Sequence, residues 1–193
     1  MRLAKYGRFN VGWVGIRADQ RGRACLDWSA ASTLDWCYDK PEDGKYADQG
    51  YLDQFPEKFD GVTVLEPKGF NLAPWNTGGH RLTLSGEKVL VDGTDKLVFF
   101  HFHGVRRVRD WYVSSQLIYG ARLNRVLKNE VYVPYLTALE EADRTVSTTL
   151  GTTTANKRGN GLRGVASRLR KSAIDRMAIL TGNAVRVAGL LRR

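Results

Sequence analysis

Hydrophobic and polar positions alternate in different rhythms along the chain. Phe9 to Ile16 (Phe-Asn-Val-Gly-Trp-Val-Gly-Ile) combines apolar β-formers with two glycines, and predicts a buried interior strand. From Gln20 to Tyr38 proline is absent, and Leu26, Ala30, Leu34 and Cys37 recur at steps of three or four, which predicts an amphipathic helix. The Pro41–Gly44 segment breaks that pattern, and a short helix is expected from Ala47 to Gln54, before Pro56. Gly61–Leu65 reads as a short strand, and Pro67–Gly79, rich in Pro, Gly and Asn, reads as a loop.

Residues 81–84 and 88–91, separated by Ser85-Gly86-Glu87, predict a hairpin, and the run from Lys96 to Phe102 is the strongest strand signal. Helical patterns are expected over Asp110–Asn129 and Tyr135–Thr148, with Pro134 as a boundary or kink. Strands interleaved with helices give an α/β class. Gly151–Gly161 has the composition of a linker. Beyond it, apolar residues at helical spacing from Leu162 to Leu191, flanked by arginines and weakened by Gly164, Gly182 and Gly189, predict a basic amphipathic helix or a broken pair of helices. The expected organisation is therefore a body over 1–150, a linker over 151–161 and a helical tail over 162–193.

Charge sharpens this division. The net charge of +10 is concentrated: residues 157–193 hold ten basic side chains against a single acid, Asp175, which leaves 1–156 close to neutral. With 193 residues and 42% hydrophobic content, the chain can bury a sizeable core. No apolar run approaches a membrane span and no secretory h-region follows Met1, so a cytoplasmic location is expected. Cys25 and Cys37, spaced for neither a disulfide framework nor a zinc ribbon, are expected to face the core.

Candidate chemistry gathers at few positions. His101 and His103 share one face at the end of an apolar strand, just before Gly104, where an imidazole can ligate a metal or bond a phosphate. Asp48 and Gln49 sit at the start of a short helix, where an N-cap role accounts for the aspartate without any catalysis. Trp75 and Asn76 offer an aromatic face and an amide, features that sugar sites use and ordinary loops also use.

The order of these segments adds information. Phe9-Asn10-Val11-Gly12, Asp48-Gln49-Gly50-Tyr51-Leu52, Trp75-Asn76 and His101-Phe102-His103-Gly104 resemble, in sequence order, the later motifs of retaining GT-A-fold glycosyltransferases similar to family 8. Asn71–Asn76 and Phe99–Gly104 also look like bacterial sugar-nucleotide transferases of polysaccharide gene clusters. The resemblance covers about residues 6–110 and implies a partial GT-A mixed sheet with flanking helices. It implies donor-binding roles for Asn10, Gly12, Trp75, Asn76, Gly104 and Arg107, catalytic roles for Asp48 and Gln49, and His101 as a late ligand to Mn²⁺ or Mg²⁺. Its implied partners are a nucleotide-sugar donor and a polysaccharide or lipid-linked acceptor.

Three departures stand out. Arg107 replaces the family's lysine, Val108-Arg109 replace Pro-Trp, and Asp53 follows Leu52 where the family has asparagine. The family's Asp-x-Asp belongs to a nucleotide-binding half ahead of the Asn10 segment, and eight residues precede Phe9 here. The chain is thus expected to lack that half, and to show little metal-dependent turnover alone. The competing expectation is an interaction module whose basic tail lies on an anionic membrane at the inner face, each basic group adding about 1 kcal/mol; the alternative for residues 162–191 is an ordinary terminal helix packed back on the body. Nucleic acid is the lesser partner for that tail, because no recognised binding signature accompanies it.

Overall fold

The computed structural model describes residues 4–150 and 172–190, so the expected linker over 151–161 and residues 162–171 lie outside the described residues. The fold is mixed α/β, and its chain divides into two compact units, Met1–Pro67 and Lys68–Arg193. No helix among the described residues is long and apolar enough to cross a membrane.

The first unit is built on α1 (Gln20–Asp35), a 3₁₀ turn over Gln49–Gln54 and the short α2 (Phe55–Lys58). Asp19 starts α1 by accepting the Gly22 N–H on its side chain, which satisfies one of the helix's unpaired donors. The core is aromatic. Trp28 meets Tyr51, Phe55 and Phe59 edge-on at centroid distances of 5.9, 6.0 and 5.6 Å, geometries that suit the ring quadrupoles. α1 therefore packs through Cys25 and Trp28, and the expected stripe faces outward: Leu26 and Leu34 are exposed. Cys25 is buried as expected, whereas Cys37 is exposed.

Two strand expectations fail in this unit. Residues 9–16 and 61–65 form no strand, and Trp13, Ile16 and Val64 are exposed. Both have strand composition, but composition makes a strand only where a neighbour takes up the backbone hydrogen bonds.

The second unit holds two antiparallel sheets. One comprises β1 (Leu82–Ser85), β2 (Lys88–Val91) and β3 (Asp95–Lys96), in that order. The expected hairpin is present, with Leu82 opposite Val91 and Ser85 opposite Lys88. The other sheet orders β4 (Arg106–Val108), β5 (Trp111–Val113) and β6 (Ala184–Arg186). The strand expected over 96–102 is regular only at its start. Beyond Lys96 the chain runs irregularly beside residues 69–72, with Leu72 bridged in parallel to Phe100.

The helix expected over 110–129 is replaced by β5, a 3₁₀ turn (Gln116–Tyr119) and the start of a π-helical turn (Leu127–Tyr132). The π turn leads into α3 (Val133–Leu150), the helix expected from Tyr135. Val133 N–H reaches back five residues to Lys128 O, and Pro134, with no N–H to give, marks the change to α geometry.

The tail is not one continuous helix. Helix α4 spans 172–180, Gly182 turns the chain at φ 75°, and β6 then pairs with β5, Val185 opposite Tyr112. Ala178, Ala184, Val185, Val187 and Leu190 are buried, so described parts of the tail complete the unit's core.

Candidate functional site

The expected site residues fall in both units, and the first holds the Asn10 and Asp48 segments. Asn10 Nδ2 donates to Gln49 Oε1 at 3.0 Å, and Gln49 Nε2 donates to the Tyr6 carbonyl at 2.7 Å. Asp53 secures the same junction: its carboxylate accepts Arg8 N–H at 2.8 Å and Phe9 N–H at 3.2 Å. Asp53 is thus an acceptor-only clamp on the backbone of Arg8 and Phe9.

Local backbone shapes this junction. Ala47 takes φ 44°, a left-handed value that costs a residue with Cβ energy, and Gly50 is buried where a Cβ would lie 3.1 Å from Lys45 backbone atoms. Gln49 is consequently held from both ends of its amide. Asp48 stands at the N-cap position of the Gln49–Gln54 turn, as expected, and is exposed without a side-chain capping bond. Gly12 lies in a half-buried turn two residues after Asn10.

In the second unit Trp75 gathers the two histidines. Its ring lies 5.1 Å from His101, 5.5 Å from His103 and 6.2 Å from Tyr119, each edge-on. His101 and His103 are 6.2 Å apart, and their shared face was expected from their spacing. His101 is positioned by its N–H bond to Leu72 O at 2.8 Å, within the parallel stretch beside the 69–76 loop. Gly69 permits that approach, since a Cβ there would fall 1.8 Å from Lys96 O. Burial, aided by His103, holds the His101 imidazole below its ordinary pKa, which favours the neutral ring. Its buried Nδ1 has no hydrogen-bond partner among the described residues.

Two other expected contacts are committed within the protein. Asn76 Oδ1 accepts Ala73 N–H at 2.7 Å and its Nδ2 donates to Asn71 O at 3.3 Å, so this amide shapes the loop that carries Trp75. Arg107 Nη1 donates to Glu140 Oε1 at 2.9 Å, and Tyr112 OH donates to the same oxygen at 2.6 Å. Burial first, and then this bond, push the Tyr112 phenol up to about 12. Adjacent on the strand, Arg106 pairs with Asp175, the tail's lone acid. Gly104 takes φ 67°, with Ser115 so close that an added Cβ would lie 2.9 Å from the serine Cβ, and Ser115 Oγ donates to His103 O at 2.6 Å.

Sequence reasoning missed the polar interior beside this loop. Gln116 is fully buried, accepts Thr77 Oγ1–H at 2.7 Å and donates to Tyr132 OH at 3.4 Å. It also missed Asp92, whose carboxylate joins His80 at 3.0 Å, Lys68 Nζ at 2.9 Å and Arg81 N–H at 2.8 Å. Neither carries a local signal, because the partners are distant in sequence.

No protein-family model and no solved structure matches the chain. Two uncharacterized proteins of Bacillus subtilis are similar to it. YfnF is 35% identical over 102 residues, which is 53% of this chain and 34% of YfnF. YfnD is 29% identical over 137 residues, 69% of this chain and 43% of YfnD. The chain thus spans less than half the length of either relative.

Proposed function

We propose that the chain serves glycosyl transfer, handling a nucleotide-sugar whose sugar passes to a polysaccharide or lipid-linked acceptor. The observation that carries this reading is the Asn10–Gln49 bond, which joins two motifs 39 positions apart and leaves the neighbouring Asp48 carboxylate exposed. The order of the four motifs gives further support, as does the gathering of Trp75, His101 and His103 on one loop system. A lipid-linked acceptor would place the chain at the cytoplasmic face of a membrane, as a peripheral protein.

In this reading Asp48 is the group that meets the sugar. Its negative charge would stabilise positive charge developing at the anomeric carbon as the bond to the leaving diphosphate lengthens. Gln49 and Asn10 act differently: their amides are bonded to one another and to Tyr6 O, so they position Asp48 rather than touch the sugar. In the second unit Trp75 is half-buried and meets His101 and His103 edge-on. Arg107 supports the sheet through its ion pair with Glu140.

Mn²⁺ or Mg²⁺ is implied for His101 only by the family resemblance, whose hard oxygen ligands belong to the Asp-x-Asp half. Beside His101 the structure places a second imidazole, His103, with ring centroids 6.2 Å apart. Among the described residues no three His, Cys, Asp or Glu side chains gather as a ligand group, so no step is routed through a metal. The test is calorimetric titration with a uridine diphosphate sugar. Binding weakened about tenfold in Asp48→Asn supports the reading, a loss of about 1.4 kcal/mol; no binding at all overturns it.

A further inference from the structure

Helix α4 uses one side for the core and leaves the other uncovered. Ala178 is fully buried in a cluster with Val113 and Ala184, and Asp175, one turn earlier on the same side, pairs with Arg106. The opposite side carries Ala173, Met177 and Leu180, at steps of four and three, and all three are exposed. Met177 is 57% exposed, and Leu180, the last residue of the helix, 86%.

Cations surround this corner of the second unit. Gly182 turns the chain two residues after Leu180, and Lys128 Nζ reaches the Gly182 carbonyl at 3.4 Å. Arg125 is exposed one turn before Lys128 on the same helical face. Arg122, also exposed, flanks Leu123, whose N–H bonds Asn183 Oδ1 at 2.7 Å. Arg176 is exposed on α4 itself, next to Met177. None of these four cations pairs with an acid among the described residues, and the one carboxylate of α4, Asp175, is buried and held by Arg106. The sequence that leads into α4, residues 157–171, adds six cations and no acid.

An apolar tip within a ring of cations is the complement of an anionic bilayer, whose phosphates meet the cations while its acyl region takes up the exposed side chains. Nucleic acid would engage the cations and leave Met177 and Leu180 without a role. A second copy would set one ring of cations against another, which repels. We infer that the outer side of α4, with Arg122, Arg125 and Lys128 beside it, is a docking surface for an anionic membrane, into which Met177 and Leu180 dip. The contact is peripheral, since no described helix is long and apolar enough to span. It rests on exposure and charge, and stands or falls separately from the sugar-handling reading.

The test is co-sedimentation of the full chain, without any nucleotide-sugar, with vesicles of phosphatidylcholine alone or of phosphatidylcholine mixed with phosphatidylglycerol. The chain should sediment with the mixed, anionic vesicles only. Leu180→Asp, at an exposed position, should weaken that binding at least about tenfold, and Leu180→Trp should keep it. Arg122→Glu together with Arg125→Glu should weaken it by a similar factor, at least about tenfold. Circular dichroism establishes that each variant is folded. The inference is overturned if the chain ignores anionic vesicles, or binds both compositions alike. It is equally overturned if folded Leu180→Asp binds as the wild type does, because charge alone then makes the contact. Light scattering that shows a dimer separated by Leu180→Asp would assign the face to a second copy and overturn it too. So would a chain that leaves the vesicles and binds a duplex oligonucleotide with steep salt dependence.

Discussion

Asn10 and Gln49 are 39 residues apart in sequence and 3.0 Å apart at their side-chain amides. Each amide can both donate and accept, and the pair uses this: Asn10 gives its N–H to Gln49, which gives its own to Tyr6 O. The contact turns two short motifs into one junction.

Breaking that junction should cost stability before it costs anything else. Gln49→Ala is expected to destabilise the first unit by about 1 kcal/mol, and Asp53→Ala by about 1–3 kcal/mol because two backbone N–H groups lose their acceptor. Denaturant unfolding checks both. Wild-type stability in Gln49→Ala would mean that the glutamine does not hold the Asn10 segment.

Glu140 should be the anchor of the β4–β5 sheet. Its side chain is 7% exposed and serves both Arg107 and Tyr112, whereas Arg107 is half exposed. A double-mutant cycle of Arg107→Ala and Glu140→Ala is expected to give a coupling of about 1–2 kcal/mol, discounted for the solvent around the guanidinium. Zero coupling would free Arg107 for the diphosphate contact expected from the family resemblance.

Alkaline pH should weaken the fold in a defined window. Tyr46, Tyr112 and Tyr132 are each raised to about 12, the first by its bond to Asp39 and the others mainly by burial. A phenol of ordinary pKa near 10 ionises in the unfolded chain before it does in the folded one. Stability is therefore retained below pH about 10 and falls between about 10 and 12. Tyrosinate absorbance checks this, and Glu140→Gln should bring one late-titrating phenol down.

Acid should act on Asp92. His80 first, then Arg81 N–H and Lys68, hold its carboxyl well below the usual carboxylate range. The stabilisation is present above the ordinary carboxyl pKa and is lost as pH falls toward the depressed one. Asp92→Asn should flatten the acid limb of stability against pH; an unchanged limb contradicts the assignment.

Local features were legible in the sequence where neighbours in sequence sufficed. The hairpin closed by Ser85-Gly86-Glu87 and the helix after Pro134 follow from spacing and punctuation, and α1 forms as expected although the Leu26 and Leu34 stripe that predicted it is exposed. Trp13 and Val64 have strand composition yet no strand neighbours, because pairing is set by a partner that composition does not reveal. The tail was legible in part, since Gly182 is among the glycines that weaken its helical pattern. Steps of three or four continue through Ala184 and Val187, but Gly182 turns the chain and tertiary pairing with β5 prevails. At the candidate site, the shared face of His101 and His103 was legible from a spacing of two. The commitments of Asn76 and Arg107 were not, because their partners are set by the loop and by α3.

The most direct measurement of the central claim is calorimetric titration of the purified chain with a uridine diphosphate sugar, with and without Mn²⁺, repeated on Asp48→Asn and His101→Ala. The account expects binding that weakens about tenfold in Asp48→Asn and changes little with Mn²⁺. No binding in any form contradicts it. Mn²⁺-dependent binding lost in His101→Ala would show that the imidazole serves a metal after all, and would overturn the metal-free reading of the site.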